Sequence, residues 1–196
     1  MSTWISRVAS ATLWTALAAC VPALPDTGTS STRSVSVLNG SLNVAAAPGY
    51  CIDRPASRET DTQAVVVIGR CSDQSGGLAA IVTVAVGAPG SAVSLIEGPL
   101  ALADYFSSGA GRATLSRNGD PASVRIRSIR SEGGRLILHL DDATTGETWR
   151  TLFGLRGRLV SVSVAGAAPR GGTGTAGKDL LDRSTSAMLR ANPGTI

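Results

Sequence analysis

The 196-residue chain contains one histidine, one lysine and three cysteines, and these scarcities limit its chemistry. Because His139 is the sole imidazole, any Ser-His-Asp relay or histidine general base must use that residue. No G-x-S-x-G elbow singles out one of the many serines as a nucleophile. No Cys-x-x-Cys pair or neighbouring histidine completes a zinc site. The acidic stretch Asp141, Asp142 and Glu147 departs from the EF-hand pattern at Ala143 and Leu152, so it reads as a solvated turn. Neither a metal nor a cofactor is expected. No segment reaches the roughly 20 apolar residues that cross a bilayer as a helix. The formal net charge of +4 is mild and gives no nucleic-acid signature.

What is present begins with a leader. "MSTWISRVASATLWTALAAC" places one cation, Arg7, before an apolar run from Val8 to Ala19 and small residues before Cys20, the layout of a secretory signal peptide. Leu17, Ala18, Ala19 and Cys20 resemble the bacterial lipobox, in which cleavage leaves a cysteine that carries lipid. Cleavage after Ala23 is the alternative, and it would discard Cys20. The lipobox gives a signal over residues 1–19, a lipidated N-terminus and flexible tether over 20–34, a single domain over 35–192 and a tail over 193–196. The tether, "VPALPDTGTSSTRS", is rich in Pro, Ser and Thr and has no periodicity. Setting Cys20 aside leaves Cys51 and Cys71 as a pair, and a pair in an oxidising compartment suggests a disulfide. Closing that loop would stabilise the fold by roughly 3 kcal/mol.

The domain alternates between two periods. Asn39-Gly40 lies between the short runs "SVSV" and "SLNV", a hairpin signal. "TQAVVVIGRC" and "AAIVTVAV" are β-branched runs that read as neighbouring antiparallel strands buried on at least one face. "GPLALADYFSSGAGRATLS" reads as a helix opened by Pro99 and interrupted at Gly109 and Gly111. Four strands in a meander follow, from "SVRIRSIR" to "RLVSVSVAG". "TAGKDLLDRSTSAMLRANPG" then reads as a terminal helix capped by Thr175, with Leu180, Leu181, Ser184 and Met188 near one face and Asn192-Pro193-Gly194 as its stop. The fold class is α+β: one antiparallel sheet packed against a central and a C-terminal helix.

Two features invite ligands. Gly172 to Lys178 fits the first seven positions of the phosphate-loop pattern G-x-x-x-x-G-K-[ST], but Asp179 replaces the required hydroxyl and no parallel βαβ unit surrounds it. Neither nucleotide nor nucleic acid is therefore expected as a partner. The second feature is arginine in the meander. Arg125 and Arg127 share a strand face opposite Val124 and Ile126, and with Arg150 and Arg158 they are candidates for an anionic-ligand surface. The bland alternative is solubility, since arginine is the general-purpose cation of this chain. A further candidate is an apolar cleft beside the "ALADYF" helix, with Tyr105 and Phe106.

"PGYCIDRPASRETDTQAVVVIGRC" and "YFSSGAGRATLSRNGDPASV" resemble uncharacterised exported proteins of alphaproteobacteria. The order of hairpin, strands, helix, meander and terminal helix is similar to the PsbP-like fold of extrinsic subunits and adaptors. These resemblances imply a lipid-anchored envelope protein facing the periplasm. Its domain would bind a protein partner, an anionic lipid or another envelope component without catalysis. The alternative is a small periplasmic hydrolase that uses His139.

Overall fold

The computed structural model describes residues 32–96, 98–168 and 171–194. Cys20, the expected leader and the tether up to residue 31 lie outside them.

Strands β1 (Ser34–Val37) and β2 (Leu42–Ala45) form the expected hairpin. Its turn holds Leu38, Asn39 and Gly40 at φ of 56°, 54° and 81°, the left-handed region that Asn and Gly tolerate best. The hairpin is a separate two-stranded sheet, which corrects the expectation of one sheet. Val37, Leu38, Leu42 and Val44 are buried, so it packs as a lid on the core instead of extending the main ladder.

The main sheet has seven antiparallel strands: β3 (Tyr50–Glu59), β4 (Ala64–Arg70), β5 (Ala80–Val86), β6 (Val124–Glu132), β7 (Arg135–Asp142), β8 (Gly146–Leu155) and β9 (Arg158–Gly166). Their spatial order is β3-β4-β5-β9-β8-β7-β6. The last four form the meander read from the sequence, joined to the first three through the β5–β9 pair. Both edge strands carry a register shift, between Asp53 and Arg58 in β3 and between Ile126 and Ser128 in β6, a device that hinders pairing with another chain.

The helices are α1 (Val93–Ile96), α2 (Pro99–Ser107), α3 (Gly109–Leu115) and α4 (Gly174–Arg190). The break between α2 and α3 has a steric cause. A Cβ at Gly111 would lie 1.9 Å from the carbonyl oxygen of Tyr105, so only glycine lets α3 start against the end of α2. Ser108 caps the new helix by accepting the Gly111 N–H at 3.1 Å.

The two sheet faces differ. Val82, Val84 and Val86 of β5 and Val160, Val162 and Val164 of β9 bury one face against Leu180, Leu181 and Met188 of α4 and against the hairpin. On the other face Leu136, Leu138, Leu140 and Leu152 pack with Phe106, Leu115 and Val124 beneath α2 and α3. At its far end α4 is tied to the hairpin. Asn192 accepts the Asn43 N–H at 2.9 Å through Oδ1 and donates to the Asn43 and Met188 carbonyls at 2.7 and 2.8 Å.

Cys51 and Cys71 form a disulfide, with Cα atoms 5.0 Å apart and a sequence separation of 20. It fastens β3, an edge strand, to the end of β4 beside the Cys51–Gly69 register pair. Cys51→Ala should lower unfolding stability by roughly 2–5 kcal/mol, measured by urea denaturation. An unchanged midpoint, or thiols in oxidised protein that alkylate without prior reduction, would refute a structural crosslink.

Candidate functional site

Where α2 and α3 stop covering the second face, a groove of about 710 Å³ opens over β5, β9 and β8, within the roughly 300–1,000 Å³ range of small-molecule sites. Alternation creates its floor. In "VTVAV" and "VSVSVA" every valine faces α4, so Thr83, Ala85, Ser161, Ser163 and Ala165 must face the other way. Phe106 and Leu115 supply one wall.

Arg150 stands in this floor. Thr83 pairs with Ser163, Ser163 with Arg150 and Arg150 with Leu138, so a hydroxyl, a hydroxyl, a guanidinium and a leucine follow one another across four strands. Arg150 Nε donates to Ser163 Oγ at 2.8 Å. Among the described residues its two Nη groups have no hydrogen bond and it has no ion pair. Burial lowers its pKa, opposed by the charge of Asp142, yet a guanidinium stays protonated at any working pH.

Asp142 also lines the groove. It is 3% exposed and accepts backbone N–H groups from Thr144 at 2.6 Å, Thr145 at 3.2 Å and Arg117 at 3.2 Å. Burial pushes its pKa up, but those amides outweigh burial and hold it below the ordinary value. The β7–β8 corner is thus a buried, amide-clamped carboxylate, which corrects the reading of a solvated turn. Among the described residues no group of three His, Cys, Asp or Glu side chains is placed to hold a metal ion.

The other candidate arginines are elsewhere. Arg125 and Arg127 share Asp141 as ionic partner, at 3.3 and 2.7 Å, beside the β6 edge and on the α4 side of the sheet. Arg158 Nη1 donates to the carbonyls of Thr62 and Gly87 at 2.6 and 2.9 Å, joining two loops. The four arginines therefore do not form one surface, and only Arg150 lines the groove. Phe106, from the anticipated helix cleft, lines it too, whereas Tyr105 points away and is 42% exposed.

His139 lies on the opposite face, stacked on Trp149 with ring centroids 3.8 Å apart and planes 6° apart. Its Nε2 is 2.7 Å from Glu147 Oε1. An ionised carboxylate only accepts, so Nε2 carries the hydrogen. Glu147 Oε2 accepts the N–H groups of Thr173 and Gly174 at 2.6 and 2.8 Å, which makes Glu147 the side-chain cap of α4. The helix starts after Thr173, not at Thr175, and Thr173 makes no side-chain cap bond itself. Trp149 Nε1 donates to the Gly174 carbonyl at 3.1 Å. A Cβ at Gly177 would meet Trp149 Cδ1 at 3.0 Å, so glycine admits the indole against the first turn. The glycine loop that resembled a phosphate cradle thus has two of its amides held by a carboxylate. His139 belongs to this latch and does not line the groove.

Burial would raise the Glu147 pKa, but the Gly174 and Thr173 amides and His139 outweigh it and lower the value from 4.5 to about 2. A carboxylate with a depressed folded pKa stabilises fully above its unfolded pKa and loses that contribution as pH falls through the folded one. Stability should therefore decline between about pH 5 and about pH 2. Glu147→Gln should cost roughly 1–3 kcal/mol at pH 7 and make the acid limb shallower. Urea melts at pH 7 and pH 3 measure both effects, and equal acid sensitivity in the two proteins would exclude the latch.

Comparison with protein-family models and with curated proteins gives no match. Among solved structures the chain is similar to the solution structure of cyanobacterial PsbP (CyanoP) from Synechocystis sp. PCC 6803. The two are 14% identical, with 85% of this chain and 96% of that chain covered, at a TM-score of 0.42. A likeness of that degree carries no argument about what this chain binds.

Proposed function

We propose that the chain is an exported lipoprotein of the cell envelope whose domain binds an anionic envelope component without catalysis. In this reading residues 1–19 are removed and Cys20 carries the lipid. The tether, expected over 20–34, ends before Thr32, because Thr32 and Arg33 already accept backbone hydrogen bonds from Ile52 and Ala46 and Ser34 opens β1. The binding domain that follows, up to residue 192, lies on the periplasmic side of a membrane. The carrying observation is Arg150, which sits in the groove with both Nη groups unpartnered among the described residues. A half-buried cation with open donors is costly unless an anion or water meets it. The groove also lacks the parts of an acid–base site. Its lining holds hydroxyls and Asp142 but no histidine, and the Asp142 oxygens are engaged by three amides. The Cys51–Cys71 disulfide is consistent with an oxidising compartment.

Two measurements test this reading. Cys20→Ser should move the protein from the membrane fraction or leave it unprocessed, and wild type should incorporate labelled palmitate. Soluble, unlabelled wild type would refute the anchor. Native mass spectrometry of wild type extracted from its own membranes should show a non-covalent anionic adduct, lost in Ser161→Trp, where the indole fills the groove floor. Adduct-free wild type, or a variant that keeps the adduct, would refute the binding site.

A further inference from the structure

We infer that the groove is a carboxylate site whose occupant is a small organic acid with one carboxylate and an apolar body. The inference rests on the binding reading above and names the ligand class. The donors are arranged for a fork. With Arg150 Nε bonded to Ser163 Oγ, the two Nη groups remain, and a planar carboxylate meets such a pair with two parallel hydrogen bonds. Ser163 accepts from Nε–H, so its own hydrogen is free to turn toward the same anion. Thr83, next in the rung, has a hydroxyl without a protein partner among the described residues. One guanidinium edge and two hydroxyls satisfy two carboxylate oxygens.

Charge favours a monoanion. Among the described residues the charged side chains lining the groove are Arg117, Arg150 and Asp142, two positive and one negative, so one negative charge balances them. A phosphate dianion would leave an excess beside Asp142, whose carboxylate is fixed in its ionised form by the three amides. The chain's sole lysine, Lys178, is on α4, across the sheet, and is paired with Asp182 at 2.8 Å. It adds no further cation to the groove.

The rest of the lining suits an apolar body. Ile81 is 43% exposed, large for an isoleucine in a central strand, and it lines the groove with Leu152, Phe106 and Leu115. Their surface adjoins the Arg150 rung, so a ligand can bury its tail there while its head meets the guanidinium.

The test uses processed full-length protein in nanodiscs, with empty nanodiscs as blank, and calorimetric titration with three probes of one chain length: hexanoate, hexan-1-ol and hexyl phosphate. Hexanoate should bind one to one and at least about tenfold more tightly than hexan-1-ol, the scale of a lost charge-assisted hydrogen bond. Arg150→Gln should remove that tenfold advantage. Thr83→Val, a conservative change on a half-buried strand position, should weaken hexanoate by about threefold and leave hexan-1-ol unaffected, so the inference stays testable even if Arg150→Gln misfolds. Hexyl phosphate binding more tightly than hexanoate would overturn the carboxylate assignment and leave an anion groove standing. Equal affinity for hexanoate and hexan-1-ol, insensitive to both variants, would overturn it in favour of an apolar site. If no probe binds while the native adduct persists and is lost in Ser161→Trp, the ligand class is wrong and the binding reading survives. If the adduct is absent too, both fall.

Discussion

Side chains alternate across a strand, so whatever fills one face of β5 and β9 dictates what is left for the other. Here one face takes six valines, Val82, Val84, Val86, Val160, Val162 and Val164, all 2% exposed or less. They form the floor on which α4 and the hairpin pack. A one-residue slip would exchange this valine sheet for hydroxyls and alanines, which could not hold α4. Register and the position of the groove are therefore set together, and the small polar floor follows from the valine pattern without separate encoding.

The placement of α4 on that floor uses polar groups as well as area. Glu147 engages its first amides and Asn192 joins its last turn to Asn43, so both ends are fixed to residues distant in sequence. The apolar stripe alone would leave rotation and sliding weakly opposed, because dispersion contacts between aliphatic side chains are non-directional. Hydrogen bonds at the two ends specify one position. His139 and Trp149 complete the first clamp, which explains why the lone histidine sits beside a carboxylate without facing a cavity.

Much of this architecture is legible in the sequence because it depends on local rules. Asn39-Gly40 sets the hairpin, period-two runs set the meander, and Pro99 and the glycines set the start and break of the central helix. The detachment of the hairpin was not legible, since burial of Val37 and Leu42 beneath the core is a tertiary outcome. Nor was the α4 cap: Thr175 has the right chemistry, but Glu147 reaches Thr173 and Gly174 from a strand some 26 residues earlier, beyond any local motif. The arginines show the same limit. Parity along β6 correctly places Arg125 and Arg127 on one face, but it cannot relate β6 to β8, because that relation depends on pairing and on the Ile126–Ser128 register shift.

A signal for Arg150 was nevertheless present. In "TWRTLFGL" the apolar residues Trp149, Leu152 and Phe153 occur at both parities, so the strand is covered on both faces, and an arginine within it is partly buried whichever way it points. Such a residue needs a partner, and Arg125, Arg127 and Arg158 have theirs in Asp141 or in backbone carbonyls. Arg150 has Ser163 on Nε and the field of Asp142 at a distance greater than an ion pair. Turning Asp142 into a direct partner would require its oxygens to leave the Thr144, Thr145 and Arg117 amides, leaving three donors unpaired in exchange for one salt bridge. The corner therefore keeps its amide-held carboxylate, and among the described residues both Nη groups of the guanidinium stay open toward the groove.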